Sequence, residues 1–168
     1  MPDDDAEKTA VTHHRFDGVQ EYEAAIDSVV AQAKHRLSIF DYDLSDGGYN
    51  RPRRFELLRD FLLSSRANRL HIVIHETAFL TRQCPRMMLL LEQFGHAIKI
   101  NQTEPHAKGV YDPFVIADAE HYVHRFHYEG SRSMLALNDP AGSRALSQRF
   151  DELWEASTPA VFANTLGL

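Results

Sequence analysis

The sequence predicts an α/β fold built on a mixed sheet, and three observations lead there. As far as Ile100, amphipathic helical patterns alternate with short apolar runs, the signature of parallel strands joined by crossover helices. Phe114-Val115-Ile116-Ala117-Asp118, a turn, and His121-Tyr122-Val123-His124-Arg125-Phe126 read as two antiparallel strands. Asp139-Pro140 then opens a helix in which Leu146, Phe150, Leu153 and Trp154 recur at helical spacing.

Taken in order, the first helix spans 19–35, because Tyr22, Ile26, Val29, Val30 and Ala33 repeat at three and four after the start signal Asp17-Gly18. A strand follows over 37–44, ending in the carboxylates of Asp41 and Asp43, and 45–50 is a glycine-bearing loop. Phe55, Leu58, Phe61 and Leu62 mark a second helix over 53–64. The run 70–75 is nearly continuously apolar, as a parallel strand covered on both faces should be. Pro85 kinks or splits the helical pattern over 77–94. A short strand over 97–100 comes next, then a loop over 103–113 with two prolines and a glycine. The hairpin leads through Glu129-Gly130-Ser131 to a strand over 134–137. Asp139 is then expected as N-cap of the last helix with Pro140 at its first position, since proline lacks only an amide that has no partner there.

A length of 168 residues fits one domain able to bury its own core. Residues 1–12 are expected as an acidic tail, 13–157 as the folded domain and 158–168 as a C-terminal extension. The formal net charge of −6 argues against nucleic acid as a partner, since phosphate contacts need clustered cations. Cys84 is the single cysteine, which excludes an internal disulfide and suits a reducing cytoplasm. No segment approaches the roughly 20 apolar residues of a membrane span, so no membrane association is expected. No cofactor is expected either.

The hairpin, with its Asp118 before the turn, and the helix ending Phe150-Asp151-Glu152-Leu153-Trp154 resemble the phospholipase D-like superfamily. The likeness is to small bacterial domains that keep the scaffold and have lost the catalytic motif. It covers 16–154 and implies a three-layer α-β-α sandwich, one half-unit of the family. In that half-unit a strand reads His-x-Lys-x-x-x-x-Asp. With Asp118 as the Asp, Tyr111 stands at the His position and Pro113 at the Lys position; neither supplies a nucleophilic imidazole or a cation for phosphate. The Gly-Ser-x-Asn that usually follows is replaced by Arg125-Phe126-His127-Tyr128. The resemblance therefore implies a non-catalytic module with a binding, regulatory or assembly role toward a protein or a small anion. Because the active members pair two half-units, it also implies a homodimer.

Other constellations are weighed beside that reading. A literal His106-Ala107-Lys108, with Asp118, would make the chain a phosphodiesterase or nuclease acting as a homodimer, although the matching Asp of that register falls on Pro113. Asp41, Asp43 and His75, with Glu76, end adjacent strands where ligands of open α/β sheets collect, and would serve a metal-dependent hydrolase. The plainer reading is a set of loop-facing caps. His121, His124 and His127 have metal-like spacing, but alternate residues of a strand face opposite ways, so His124 cannot join the other two. Arg125, His127 and Arg132 could hold an anion; otherwise Arg125 needs a carboxylate, with Asp118 or Glu152 in reach. Cys84 lies between Arg82 and Arg86 at helical positions that project apart, which disfavours a reactive thiol. Met87 to Leu91 is core.

Overall fold

A computed structural model describes residues 10–163. Its strands are β1 (Thr12–Asp17), β2 (Arg36–Asp41), β3 (Arg69–Ile74), β4 (Ile98–Thr103), β5 (Phe114–Ala117), β6 (His121–Arg125), β7 (Arg132–Leu137) and β8 (Ser157–Val161). The helices are α1 (Val19–Gln32), α2 (Pro52–Ser64), α3 (Ala78–Gln83), α4 (Pro85–Gln93) and α5 (Pro140–Glu155), with one 3₁₀ turn at Pro105–Ala107. The strands form one eight-stranded sheet in the order β1-β7-β6-β5-β2-β3-β4-β8. β2, β3 and β4 are parallel, and every other pairing is antiparallel.

The sheet separates two cores. Leu37 and Ile39 of β2, Leu70, Ile72 and Ile74 of β3 and Val115 and Ala117 of β5 pack with α1, α2 and α4 on one side. Phe40, Val73, Phe114, Ile116 and Tyr122, the alternate positions, pack with Leu146, Phe150 and Leu153 of α5 on the other. The period of two along each strand is what sends neighbours to opposite cores. The result is the three-layer α-β-α sandwich around a mixed sheet. The apolar run of β3 is explained by cover on both faces, with His71 stacked on Trp154 of α5 at 4.7 Å between ring centres.

The expected punctuation holds. Pro85 divides the third helical stretch into α3 and α4, with Cys84 buried at the junction. Asp139 accepts a hydrogen bond from the Gly142 amide at 2.9 Å and caps α5, with Pro140 at the first helical position. Two boundaries differ from expectation. The acidic tail was expected to run to residue 12, yet Thr12 already starts β1; the part over 1–9 lies outside the described residues. The expected extension from 158 instead supplies most of β8, which closes the β4 edge; residues 164–168 lie outside the described residues. Among the described residues, no helix is long and apolar enough to cross a membrane.

Candidate functional site

The register fixes where the polar ends meet. Phe114 lies opposite both Phe40 of β2 and His124 of β6, so the carboxyl end of β2, the entry to β5 and the exit of β6 share one side of the molecule. β3 runs parallel to β2 and delivers His75 to the same place. Asp41 to Asp43, His75, Tyr111 to Pro113 and the segment after Arg125 therefore border one common surface, the cleft side of the molecule. The Arg125 amide donates to the Pro113 carbonyl at 2.9 Å and the Tyr128 amide to that of Tyr111 at 2.8 Å, which fixes the last two borders together.

Aromatic rings fill this border. Tyr111, half exposed, stacks on His127 at 5.6 Å, and His127 stacks on Tyr128 at 5.0 Å. Tyr128 stacks on Tyr42 at 4.6 Å with the planes 10° apart. Tyr42 and Phe40 then meet His75 edge-on at 5.8 and 5.2 Å. Offset and edge contacts of this kind are the favoured geometries for such rings. Neither Tyr42 nor Tyr128 carries a spacing signal in the sequence, so their part in the cleft emerges only from the register.

His75 has no nitrogen to spare. One ring nitrogen, Nε2, donates to the Val110 carbonyl at 2.7 Å, which leaves Nδ1 to accept from the Thr103 hydroxyl at 2.6 Å. Burial pushes its pKa down, in keeping with a neutral ring. Asp41 accepts the Tyr42 amide at 2.7 Å and Asp43 that of Ser45 at 2.9 Å. The metal-ligand set Asp41, Asp43 and His75 is thus not assembled, since the imidazole is committed and each carboxylate closes its own turn. Among the described residues no group of three or more His, Cys, Asp or Glu is placed to hold a metal ion, which also disposes of His121, His124 and His127. The physical reason for the latter is dispersal: His121 accepts the Asn138 amide, His124 contacts Asp112 at 2.8 Å, and His127 is in the aromatic stack.

Asp41 is buried on the α1 side, 5% exposed, and burial raises its pKa to about 7. Asp43 and Asp46 add to the rise; the Tyr42 amide and Arg125 oppose it. Arg125 is itself 5% exposed and is spoken for inside the fold. It donates to the Gly130 carbonyl and to Asp46 at 3.2 Å and lies 5.1 Å from the Tyr22 ring centre. The expected partners Asp118 and Glu152 are replaced by Asp46, brought in by the loop after β2. Arg125 pairs across the ladder with Ser133, so Arg132, the next residue along β7, faces the other side of the sheet. The anion set Arg125, His127 and Arg132 is therefore split between two faces.

The literal motif is likewise spread out. His106 sits on the 3₁₀ turn with its side chain 69% exposed and 3.5 Å from Glu104, while Lys108 contacts Glu76 at 3.1 Å. Asp118 follows the far end of β5, where Ala117 lies opposite Leu37, and its amide donates to the Arg36 carbonyl. Its two carboxylate oxygens accept the amides of Lys34, His35 and Arg36 at 2.8, 2.9 and 2.8 Å, which joins the β5–β6 turn to the start of β2. Asp112, one place short of the Asp position in the literal motif's register, instead takes both Arg149 and His124, a pairing that no spacing signals. Burial alone would raise its pKa, but those two hydrogen bonds more than offset burial and hold it below the usual range. Cys84 is buried and burial raises its pKa, both of which work against a thiolate.

A family model described as "Domain of unknown function (DUF7931)" matches residues 18–165. The chain belongs to this DUF7931 family. A comparison with curated proteins gave no match. Solved structures similar to it include a phospholipase D family member, Nuc from Salmonella typhimurium, at TM-score 0.63 and 15% identity over 90% of this chain and 97% of that one. NucT from Helicobacter pylori gives TM-score 0.60 and 14% identity over 90% and 100%. TrmBL2, an archaeal chromatin protein with a novel mode of DNA binding, gives 0.67 and 12% over 88% of this chain and 54% of its own, so this chain spans about half its length. At such identities the likeness is one of fold, and this DUF7931 chain has the phospholipase D-like fold.

Proposed function

We propose that this chain is a non-catalytic phospholipase D-like module with a binding, regulatory or assembly role in the cytoplasm. The observation that carries the reading is the make-up of the cleft border. Tyr111 and Pro113, which the count back from Asp118 sets at the positions of the resembled family's imidazole and amine, belong to that border, and Tyr111 is part of an aromatic stack with His127, Tyr128 and Tyr42. Among the described residues of this border no ammonium is unpaired, and the one imidazole with a nitrogen not hydrogen-bonded to the chain, His127, has its ring held in the stack between Tyr111 and Tyr128. His75 is committed on both nitrogens and Lys108 to Glu76, which removes the nearest substitutes. What it does offer is a stacking surface, suited to holding a partner instead of cleaving one.

The expected result is that purified protein does not hydrolyse bis(p-nitrophenyl) phosphate above the buffer rate, with or without added magnesium, manganese or chelator. Turnover that disappears in His106→Ala would establish the phosphodiesterase reading in its place. Self-association across the strand-rich edge is part of the same reading, because the resembled enzymes pair two half-units and Tyr111, 50% exposed, offers apolar surface to a second copy. Light scattering at micromolar concentration should give about twice the 19.2 kDa of one chain. A species of one-chain mass alone would contradict the homodimer.

A further inference from the structure

Arg132, displaced from the company of Arg125, has a different neighbour. In the β1–β7 ladder Asp17 lies opposite Arg132 and Arg15 opposite Met134, so Arg15, Asp17 and Arg132 share one face of the sheet. The Phe126 amide donates to the Arg132 carbonyl at 3.0 Å and sets Phe126 at the other flank. Together these four border a groove of about 360 Å³. Among the described residues neither Arg15 nor Arg132 has a carboxylate within ion-pair distance. Among the described residues that line the groove Asp17 is the one carboxylate, and it takes the Ser131 hydroxyl. Phe126 is 43% exposed and meets the His124 ring at 81°, an edge contact that uses at most one face of the phenyl ring.

We propose that this groove binds a small phosphate monoester that carries a planar ring, a nucleoside monophosphate being the simplest case. The proposal goes beyond the reading of the cleft and does not depend on it, since the groove lies on the face away from Arg125. Diagonal positions on adjacent strands are roughly 7–8 Å apart, and arginine side chains reach across that span, so both guanidinium forks can close on one phosphate. Phe126, beside Arg132, then offers its open face to the ring of the same molecule. An acidic peptide would use the arginines and leave that face in water. A polynucleotide would bring many phosphates to a chain of net charge −6, so the free mononucleotide is the better fit.

Calorimetric titration of the full chain with adenosine 5′-monophosphate, adenosine, inorganic phosphate and tetraglutamate tests it. The monophosphate should bind more tightly than the other three. Arg132→Gln should weaken the monophosphate and inorganic phosphate alike by about tenfold or more, the loss typical of a charged hydrogen-bonding pair, and Arg15→Gln on the neighbouring strand should do the same. Phe126→Leu should weaken the monophosphate and leave inorganic phosphate unchanged. Asp17→Asn should tighten the monophosphate severalfold, a sign that general loss of structure cannot produce. No binding by the wild-type chain, binding indifferent to both arginine variants, or tighter binding of tetraglutamate would overturn the proposal.

Discussion

Replacing Asp118 by alanine should destabilise the protein by about 3 kcal/mol, although Asp118 lies at the end of β5 away from the cleft. One side chain accepts three consecutive amides, from Lys34, His35 and Arg36, and the Asp118 amide returns a bond to the Arg36 carbonyl at 2.9 Å. This clamp fixes the passage from α1 into the central strand β2. A hydrogen bond to a charged group contributes roughly 1.5–3 kcal/mol when shielded, and less here because water reaches the donors once the carboxylate is gone. The backbone adds to the loss: Asp118 has φ 56°, a left-handed conformation that costs alanine roughly 1 kcal/mol more than it costs Asp, Asn or Gly. Asp118→Asn keeps one acceptor oxygen and tolerates that φ, so it should lose about 1 kcal/mol. Urea unfolding of the three proteins measures both numbers. Alanine and asparagine variants as stable as wild type would show that the clamp is dispensable.

The second large effect is on pH dependence, through Asp41. Burial beneath α1 raises its pKa from 3.8 to about 7, with Asp43 and Asp46 adding to the rise and Arg125 and the Tyr42 amide opposing it. Tyr22 and Tyr49, both buried, are further titratable groups that interact with it. Between those two pKa values the folded chain binds a proton that the unfolded chain has released, so stability falls as pH rises. The contribution is fully present below pH ~4, is lost progressively up to pH ~7, and is flat beyond. Asp41→Asn removes the titration and still accepts the Tyr42 amide. The stability of the variant relative to wild type should therefore grow by about 4 kcal/mol between pH 4 and pH 8, following the size of the shift. Denaturation curves at stepped pH check this, and parallel stability profiles for the two proteins would contradict it.

Much of the fold was legible because its signals are local. The 3.6 period of α1, the unbroken apolar run of β3, Pro85 at the α3–α4 junction and the Asp139-Pro140 start of α5 each follow from side chains within a turn or two of one another. β1 and β8 were not legible for an equally physical reason. Both are edge strands with one neighbour each, mostly exposed, and so carry no buried alternation. Thr12-His13-His14-Arg15-Phe16-Asp17 and Ser157-Thr158-Pro159-Ala160-Val161 read as polar or irregular chain, and Pro159 is tolerated because an edge strand leaves half its amides unpaired.

The site was less legible, because its contacts are made across the fold. Tyr111 and Pro113 follow from counting back from Asp118, and both lie before β5, which starts at Phe114. The partner of Arg125 follows from no such count. Asp46 lies 79 residues away on a loop whose path depends on Leu44, Gly47 and Gly48 at positive φ, and no spacing rule connects the two. The same holds for His75, whose partners Thr103 and Val110 come from β4 and the loop beyond it.

The claim at the centre of this account is that no imidazole of the chain attacks phosphorus. Intact-mass measurement after incubation with bis(p-nitrophenyl) phosphate, quenched at alkaline pH to preserve any phosphohistidine, tests it directly. The account predicts only the unmodified chain; a phosphoryl adduct that maps to His106 and is absent from His106→Ala would contradict it.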